Sequence, residues 1–288
     1  MPTKVTLNVF SGRPNPTWTL SGKDEKALTE RLSALDQATD KRPSGVFGGL
    51  GYRGFTISRP ASHPSGKLAM TVHENVVDRH LGEFNLVDQS GIESFLATTG
   101  RAAIPDLVAE HVRQQLAAKS GPAFNLPVQG KLALKCPACK AVDAPAYNPG
   151  PWNVNPVLSN NNCYNYANNK ITNTFAQPGK AAGKQAKVMA CANVQAAAQA
   201  DGLVPVANFA GALAKGRGWY VALVIWPNVD YHWYRQDQVG CWSHKPGHTA
   251  ARNVDNAGKA IADPKTCNRG PYVNFCTYMV TRAGLVIK

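Results

Sequence analysis

The stretch at residues 230–245 constrains the fold of this chain more than any other segment. Its sequence, DYHWYRQDQVGCWSHK, has an aromatic run of strand character, a turn of composition Asp-x-x-Gly and a short return. A type I turn followed by a left-handed glycine would pair Asp237 with Cys241. Because strand side chains alternate with a period of two, His232 and His244 would then share a face as diagonal neighbours, about 7–8 Å apart between backbone positions. The sequence therefore predicts a β-hairpin on which two imidazoles converge.

Changes in composition divide the 288 residues into three parts. Residues 1–120 combine strand alternation with helical spacing, which is typical of an α+β domain. We expect this domain to have a binding or delivery role. Prolines recur through residues 121–156 with few periodic apolar runs, and this favours a semi-extended surface linker. Residues 157–288 pass from a polar helix start through an apolar strand into the hairpin. The predicted fold class is α+β, with two domains joined by a proline-rich linker.

The charge of the chain limits its expected partners. A net charge of +13 favours anionic partners, although the basic residues form no block of five or six. Most of the aromatic residues lie in apolar strand contexts, so core packing explains them better than nucleic-acid binding. No run approaches the roughly 18 apolar residues of a membrane span. Neither nucleic acid nor a membrane span is expected.

The N-terminus and the cysteines leave the compartment open. Residues 1–10 have a strand pattern and not that of a signal peptide, which favours the cytoplasm or export without an N-terminal signal. Seven cysteines permit three disulfides and one free thiol, or a fully reduced cytosolic protein. Cys267 and Cys276 flank a short loop and could pair locally, whereas Cys191 has the pattern of a small buried apolar residue.

A candidate nucleophile stands at the start of the C-terminal domain. Asn161 and Asn162 are good N-cap residues, so Cys163 is expected in the first turn of a helix. The helix dipole and the free amides there favour a thiolate and lower the pKa of the cysteine. An apolar run at residues 218–227 predicts a central strand before the hairpin. A thiol on a helix and an imidazole on the facing sheet are the parts of a cysteine hydrolase.

This order resembles the NlpC-type cell-wall peptidases, a compact papain-like family. The resemblance covers about residues 160–246 and rests on four motifs: Cys163-Tyr-Asn-Tyr-Ala, Ala222-Leu-Val-Ile-Trp226, His232-Trp-Tyr and Trp242-Ser-His244-Lys-Pro. The chain departs from the family pattern at Asn162, where Asp is usual, and at Tyr164-Asn165, where Ser-Gly is usual. The resemblance implies a papain-like C-terminal domain.

The resemblance also implies roles for individual residues. Cys163 would be the nucleophile, His232 the general base and then acid, and His244 the orienting group. Asp255 or Asp263 is the alternative third member. The amide of Cys163, with the side chain of Asn161 or Asn162, could stabilise the oxyanion.

The predicted function is cysteine-dependent amide hydrolysis through a thioester, with an anionic peptide or cell-wall substrate such as a peptidoglycan peptide. One alternative is a secreted effector or toxin that cleaves or deamidates a target protein. Another is a non-enzymatic, disulfide-stabilised binding protein. No cofactor is expected. Cys163, His232 and His244 are residue types that bind zinc, and His248 or Cys241 could supply a fourth ligand. Because no fourth ligand is obvious from the sequence, no metal is predicted.

Overall fold

The computed structural model describes residues 2–36, 41–43, 49–62, 68–78, 84–118 and 136–288. The chain forms two compact units. One consists of Met1–Val9, Asn15–Phe47 and Tyr52–Leu126, and the other of Phe10–Pro14, Gly48–Gly51 and Pro127–Lys288. The second unit therefore includes two short segments from the N-terminal part of the sequence. Residues 121–135 of the predicted linker lie outside the described residues.

The first unit contains an antiparallel sheet and three helices in its described part. The helices are α1 (Gly22–Asp36), α2 (Ile92–Thr99) and α3 (Asp106–Ala118). The sheet has the strand order β2-β1-β4-β5-β6-β7-β3. Its strands are β1 (Lys4–Leu7), β2 (Thr17–Thr19), β3 (Lys41–Pro43), β4 (Phe55–Arg59), β5 (Leu68–His73), β6 (Val76–Asp78) and β7 (Phe84–Val87).

The second unit contains an antiparallel sheet of order β11-β10-β9-β12-β8. Its strands are β8 (Val204–Val206), β9 (Trp219–Trp226), β10 (Asp230–Gln236), β11 (Trp242–His244) and β12 (Asn274–Thr281). Its helices are α4 (Val157–Asn160), α5 (Cys163–Ala167) and α6 (Cys191–Ala200), preceded by a 3₁₀ turn at Gly150–Trp152. Helix α5 packs against β10 and β11, and α6 packs against β8, β9 and β12. The α+β fold class is therefore confirmed. Among the helices of the described ranges, none is both long enough and apolar enough to cross a bilayer.

The hairpin has the predicted register. Tyr234 pairs with His244, and the amide of Asp237 donates to the carbonyl of Cys241 at 2.8 Å. The turn requires glycine at position 240, since φ is 91° there and a Cβ would lie 1.9 Å from the carbonyl oxygen of Pro137. Strand β9 is buried along its whole length, as its continuous apolar run predicts.

The cysteine pairing agrees with neither prediction, that is, neither with three disulfides and one free thiol nor with a fully reduced chain. Disulfides join Cys136 to Cys241 and Cys191 to Cys276, while Cys139, Cys163 and Cys267 are free. The local pairing of Cys267 with Cys276 is wrong, and so is the interpretation of Cys191 as a simple apolar residue. The bonded cysteines are 105 and 85 positions apart, so short-range spacing carried no information about them.

Candidate functional site

The position of Cys163 is fixed by the polar residues around it. Asn162 caps α5, because its side chain accepts from the amides of Tyr164 at 3.0 Å and Asn165 at 3.1 Å. The side chain of Asn165 in turn accepts from the amide of Asn162 at 3.2 Å, which completes a capping box. The predicted N-cap is confirmed, and Cys163 is the first residue of the helix.

Helix α5 and the two histidines lie on opposite faces of the hairpin. Tyr164 packs against Trp233 with 5.4 Å between ring centroids, and the guanidinium of Arg235 lies 4.2 Å from the ring centroid of Tyr166. Successive side chains of a strand point to opposite faces, so the side chain of His232 lies on the face opposite that of its neighbour Trp233. There it contacts Tyr272 at 5.9 Å between ring centroids. Helix α5 therefore packs on one face of the hairpin, and the two imidazoles lie on the other.

The two imidazoles hydrogen-bond directly to each other. Nδ1 of His244 lies 2.9 Å from Nε2 of His232, and Nε2 of His244 lies 3.1 Å from the carbonyl oxygen of Val254. A carbonyl oxygen only accepts, so Nε2 of His244 carries the hydrogen and Nδ1 of the neutral ring accepts from His232. Nδ1 of neutral His232 is then an acceptor. The ring of Tyr234 stacks on His244 at 4.8 Å and holds it in this orientation.

Ser11 completes this chain of hydrogen bonds, and sequence reasoning missed it. Its hydroxyl bonds to Nδ1 of His232, and it lies near enough to Cys163 to act on the pKa of that thiol, which it lowers. The carboxylate of Asp230 holds the serine in place by accepting from the amides of Ser11 at 2.5 Å and Gly12 at 3.1 Å. Ser11 lies 221 positions before His232 in the sequence, and no local sequence pattern around Ser11 predicts a contact with His232.

The neighbours of the Cys163 thiol are Ser11 and the backbone of β10. Its Sγ lies 4.0 Å from the carbonyl oxygen of Tyr231, and the backbone of Trp233 acts to lower the pKa of the thiol. In the tautomers given above, both ring nitrogens of His232 are engaged, one by Ser11 and one by His244. The serine hydroxyl thus stands between the predicted nucleophile and the predicted base.

The cluster is closed to solvent, and its thiol is protonated at neutral pH. Cys163, Ser11, His232 and His244 each have 0% exposure. Burial raises the pKa of Cys163 to about 12, and the negative charge of Asp230 adds to the rise. The predicted lowering of this pKa is therefore wrong. Desolvation outweighs the helix N-terminus, because the thiolate would have to be formed away from water.

The two asparagines predicted to support an oxyanion are committed to the fold. Nδ2 of Asn161 donates to the carbonyl of Val157 at 3.0 Å and to the side chain of Asn173 at 2.8 Å. Nδ2 of Asn162 donates to the carbonyls of Gly12 at 2.9 Å and Ala176 at 2.8 Å. A side-chain amide has two N–H donors, so neither residue has one left for a ligand.

Asp255 and Asp263, the alternatives to His244 as the third catalytic residue, instead stabilise loops through hydrogen bonds. Asp255 accepts from three backbone amides at 2.9–3.0 Å, those of Ala257, Lys259 and Asn268. Asp263 accepts from the hydroxyl of Tyr278 at 2.5 Å and from the amide of Lys265 at 2.8 Å. Of the three predicted candidates for the third member, His244 is the one with a hydrogen bond to His232.

Alkylation is expected to distinguish the free thiols. In the folded protein, iodoacetamide at neutral pH should label the partly exposed Cys139 well before the buried Cys163, because reaction needs an accessible thiolate. Peptide mapping at successive times measures the order, and the same reaction in concentrated urea should remove the difference. Labelling of Cys163 ahead of Cys139 in the folded protein would mean that the cluster is open and its thiol activated.

Comparison with known proteins gives no support for a peptidase. No family model matches the chain, and no solved structure matches it. The resemblance to the NlpC-type peptidases therefore stays a prediction about the fold.

A relative among the curated proteins has a different character. Insoluble matrix shell protein 1 of Ruditapes philippinarum is 46% identical over 133 residues, which are 46% of this chain and 87% of the relative. Its name describes a matrix protein, so the predicted cysteine hydrolase acting on peptidoglycan peptides is wrong, as are the effector and toxin alternatives. The buried, protonated thiol gives the physical reason. This chain belongs to the family of insoluble matrix shell protein 1.

Proposed function

We propose that this chain is a non-enzymatic, disulfide-stabilised component of an insoluble extracellular matrix. The observation that carries the proposal is the 46% identity to insoluble matrix shell protein 1, of which the alignment covers 87%. That extent of matching makes a shared structural role the simplest explanation. The proposal corresponds to the binding-protein alternative, in which the cysteines are structural.

The polar groups around the cluster support a structural role. Lys245 is fully buried, and its ammonium donates to three backbone carbonyls at 2.6–2.7 Å, those of Leu158, Asn161 and Gly247. Together with the serine–histidine chain, these bonds connect segments that are distant in sequence. Buried polar networks whose members are satisfied in this way make a fold rigid and specific.

The disulfides support an extracellular location. Disulfides form and persist in oxidising compartments and are rare in the cytosol. The two in this chain close long loops, and both lie within the second unit. A matrix protein exposed to the medium for long periods gains from such cross-links.

The net charge of +13 indicates the type of partner. A matrix component of this charge is suited to bind anionic polymers. The earlier expectation of an anionic cell-wall substrate is thus replaced by an anionic matrix partner that is bound and not cleaved.

Co-sedimentation tests this function. The purified chain should pellet with the insoluble matrix prepared from Ruditapes philippinarum shell and remain there through salt washes that release an unrelated basic protein of similar charge. Wild-type and Cys163→Ala proteins should pellet equally and should show no hydrolysis of peptidoglycan peptides. Failure to pellet, or peptide hydrolysis that disappears in Cys163→Ala, would contradict the proposal.

A further inference from the structure

A cleft of about 700 Å³ lies in the second unit, apart from the closed serine–histidine cluster. Three turns of the chain form its walls: residues 168–170 after α5, the turn that ends at Trp219, and residues 282–284 after β12. Asp143 and Pro145 complete the lining. The volume is within the range of about 300–1,000 Å³ that is usual for ligand sites.

Two of the three turns place a cation in the lining of the cleft. Lys170 and Arg282 line it directly, while Lys215 and Arg217 are exposed next to the lining residues Gly216 and Gly218. The ammonium of Lys170 donates one hydrogen bond, to the carbonyl of Ala283 at 2.7 Å, and has two further N–H groups to offer. Cations on two separate turns thus line one opening, and two more are adjacent in sequence to residues of the third.

The acidic residue of the lining has a structural use. Oδ2 of Asp143 accepts from the amides of Gly216 at 2.7 Å and Gly218 at 3.1 Å. This carboxylate holds the turn that carries Lys215 and Arg217. Since Lys170 and Arg282 outnumber it among the lining residues, the cleft attracts anions.

The walls of the cleft are fixed before any ligand binds. Gly218 has a φ of 93°, and a Cβ there would lie 1.8 Å from the carbonyl oxygen of Thr281, so only glycine allows this approach. Asn168 donates to the carbonyl of Tyr164 at 2.9 Å and accepts from the hydroxyl of Thr281, which ties the end of α5 to β12. The indole of Trp219 donates to the carbonyl of Ala167 at 2.9 Å. A preformed site loses little conformational entropy on binding.

We propose that this cleft binds a carboxylated polysaccharide, that is, a chain containing uronate sugars. The cations fit the carboxylates, while the exposed amide of Asn169 and the carboxylate of Asp143 offer a donor and an acceptor for sugar hydroxyls. An acidic peptide has the charge without an equivalent set of hydroxyls. The choice of a polymeric ligand rests on the proposed matrix function, whereas the anionic character of the ligand follows from the cleft.

A pair of charge-matched variants tests this assignment. Lys170→Gln with Arg282→Gln removes two charges from the cleft and keeps side chains that can hydrogen-bond. Lys184→Gln with Lys187→Gln removes two charges from an exposed loop of the same unit. Binding of alginate, a polyuronate, is measured by calorimetry on the full chain, with thermal unfolding as a check that both variants are folded. Neutral dextran and poly-glutamate serve as comparison ligands.

The cleft variant should bind alginate about tenfold more weakly or worse, equivalent to about 1.4 kcal/mol, while the loop variant should bind like wild type. Dextran should not bind measurably, and poly-glutamate should bind more weakly than alginate. Equal losses in both variants, or no loss in either, would overturn the cleft as the site. Poly-glutamate binding as tight as that of alginate would overturn the polysaccharide class. If wild type still co-sediments with the shell matrix, such a result contradicts only the cleft assignment. If wild type does not co-sediment, the proposed function itself fails.

Discussion

Loss of either disulfide is expected to lower the free energy of unfolding by about 4–5 kcal/mol. The two bonds close loops of 105 and 85 residues, and a cross-link of that span removes much of the conformational freedom of the unfolded chain. Since a whole domain is stable by only about 5–15 kcal/mol, loss of both bonds should leave the second unit largely unfolded at physiological temperature.

Urea unfolding of paired variants measures this effect. Cys136→Ala with Cys241→Ala removes one bond, and Cys191→Ala with Cys276→Ala removes the other. Cys139→Ala is the matched control, because it deletes a partly buried thiol that forms no cross-link. If the paired variants were destabilised no more than the control, these cysteines would not be bonded in the folded protein.

The sequence was informative where structure depends on neighbouring residues. The alternation of side chains and the Asp-x-x-Gly turn determined the register that brings His232 and His244 into contact. The asparagines before Cys163 likewise determined where α5 begins. Both features follow from backbone geometry over fewer than about 15 residues, a range at which pattern rules apply.

The sequence was misleading where structure depends on distant segments. A helix N-terminus favours a thiolate, but the burial of Cys163 away from water outweighs that effect and raises the pKa of the thiol. Ser11, which is buried in the same cluster, comes from the other end of the chain. The face on which α5 packs is set by Tyr164 against Trp233, a pairing that no periodicity specifies. The linear order of the cysteine and the two histidines therefore matched that of a cysteine hydrolase, although the folded arrangement does not activate the thiol.

The closed cluster also makes the stability of the chain depend on alkaline pH through Cys163. The unfolded chain should release the thiol proton near pH 9.0, the ordinary value, whereas the folded chain retains it up to about 12. A folded pKa raised above the unfolded one contributes stability that is fully present below the lower value and is lost as the pH rises towards the higher. At about 1.4 kcal/mol per pH unit, the loss across this window is about 4 kcal/mol.

Cys163→Ser isolates this contribution, because serine keeps a small hydrogen-bonding side chain that does not ionise in this range. The free energy of unfolding of wild type should fall by about 3 kcal/mol more than that of Cys163→Ser between about pH 8 and pH 11. Alkaline titration of the buried tyrosines weakens both proteins and largely cancels in the difference. Cys139→Ser, at a partly exposed thiol, should show a much smaller change relative to wild type. A difference between wild type and Cys163→Ser that is constant with pH would mean that the thiol meets water in the folded state, and the cluster would then be open to a ligand.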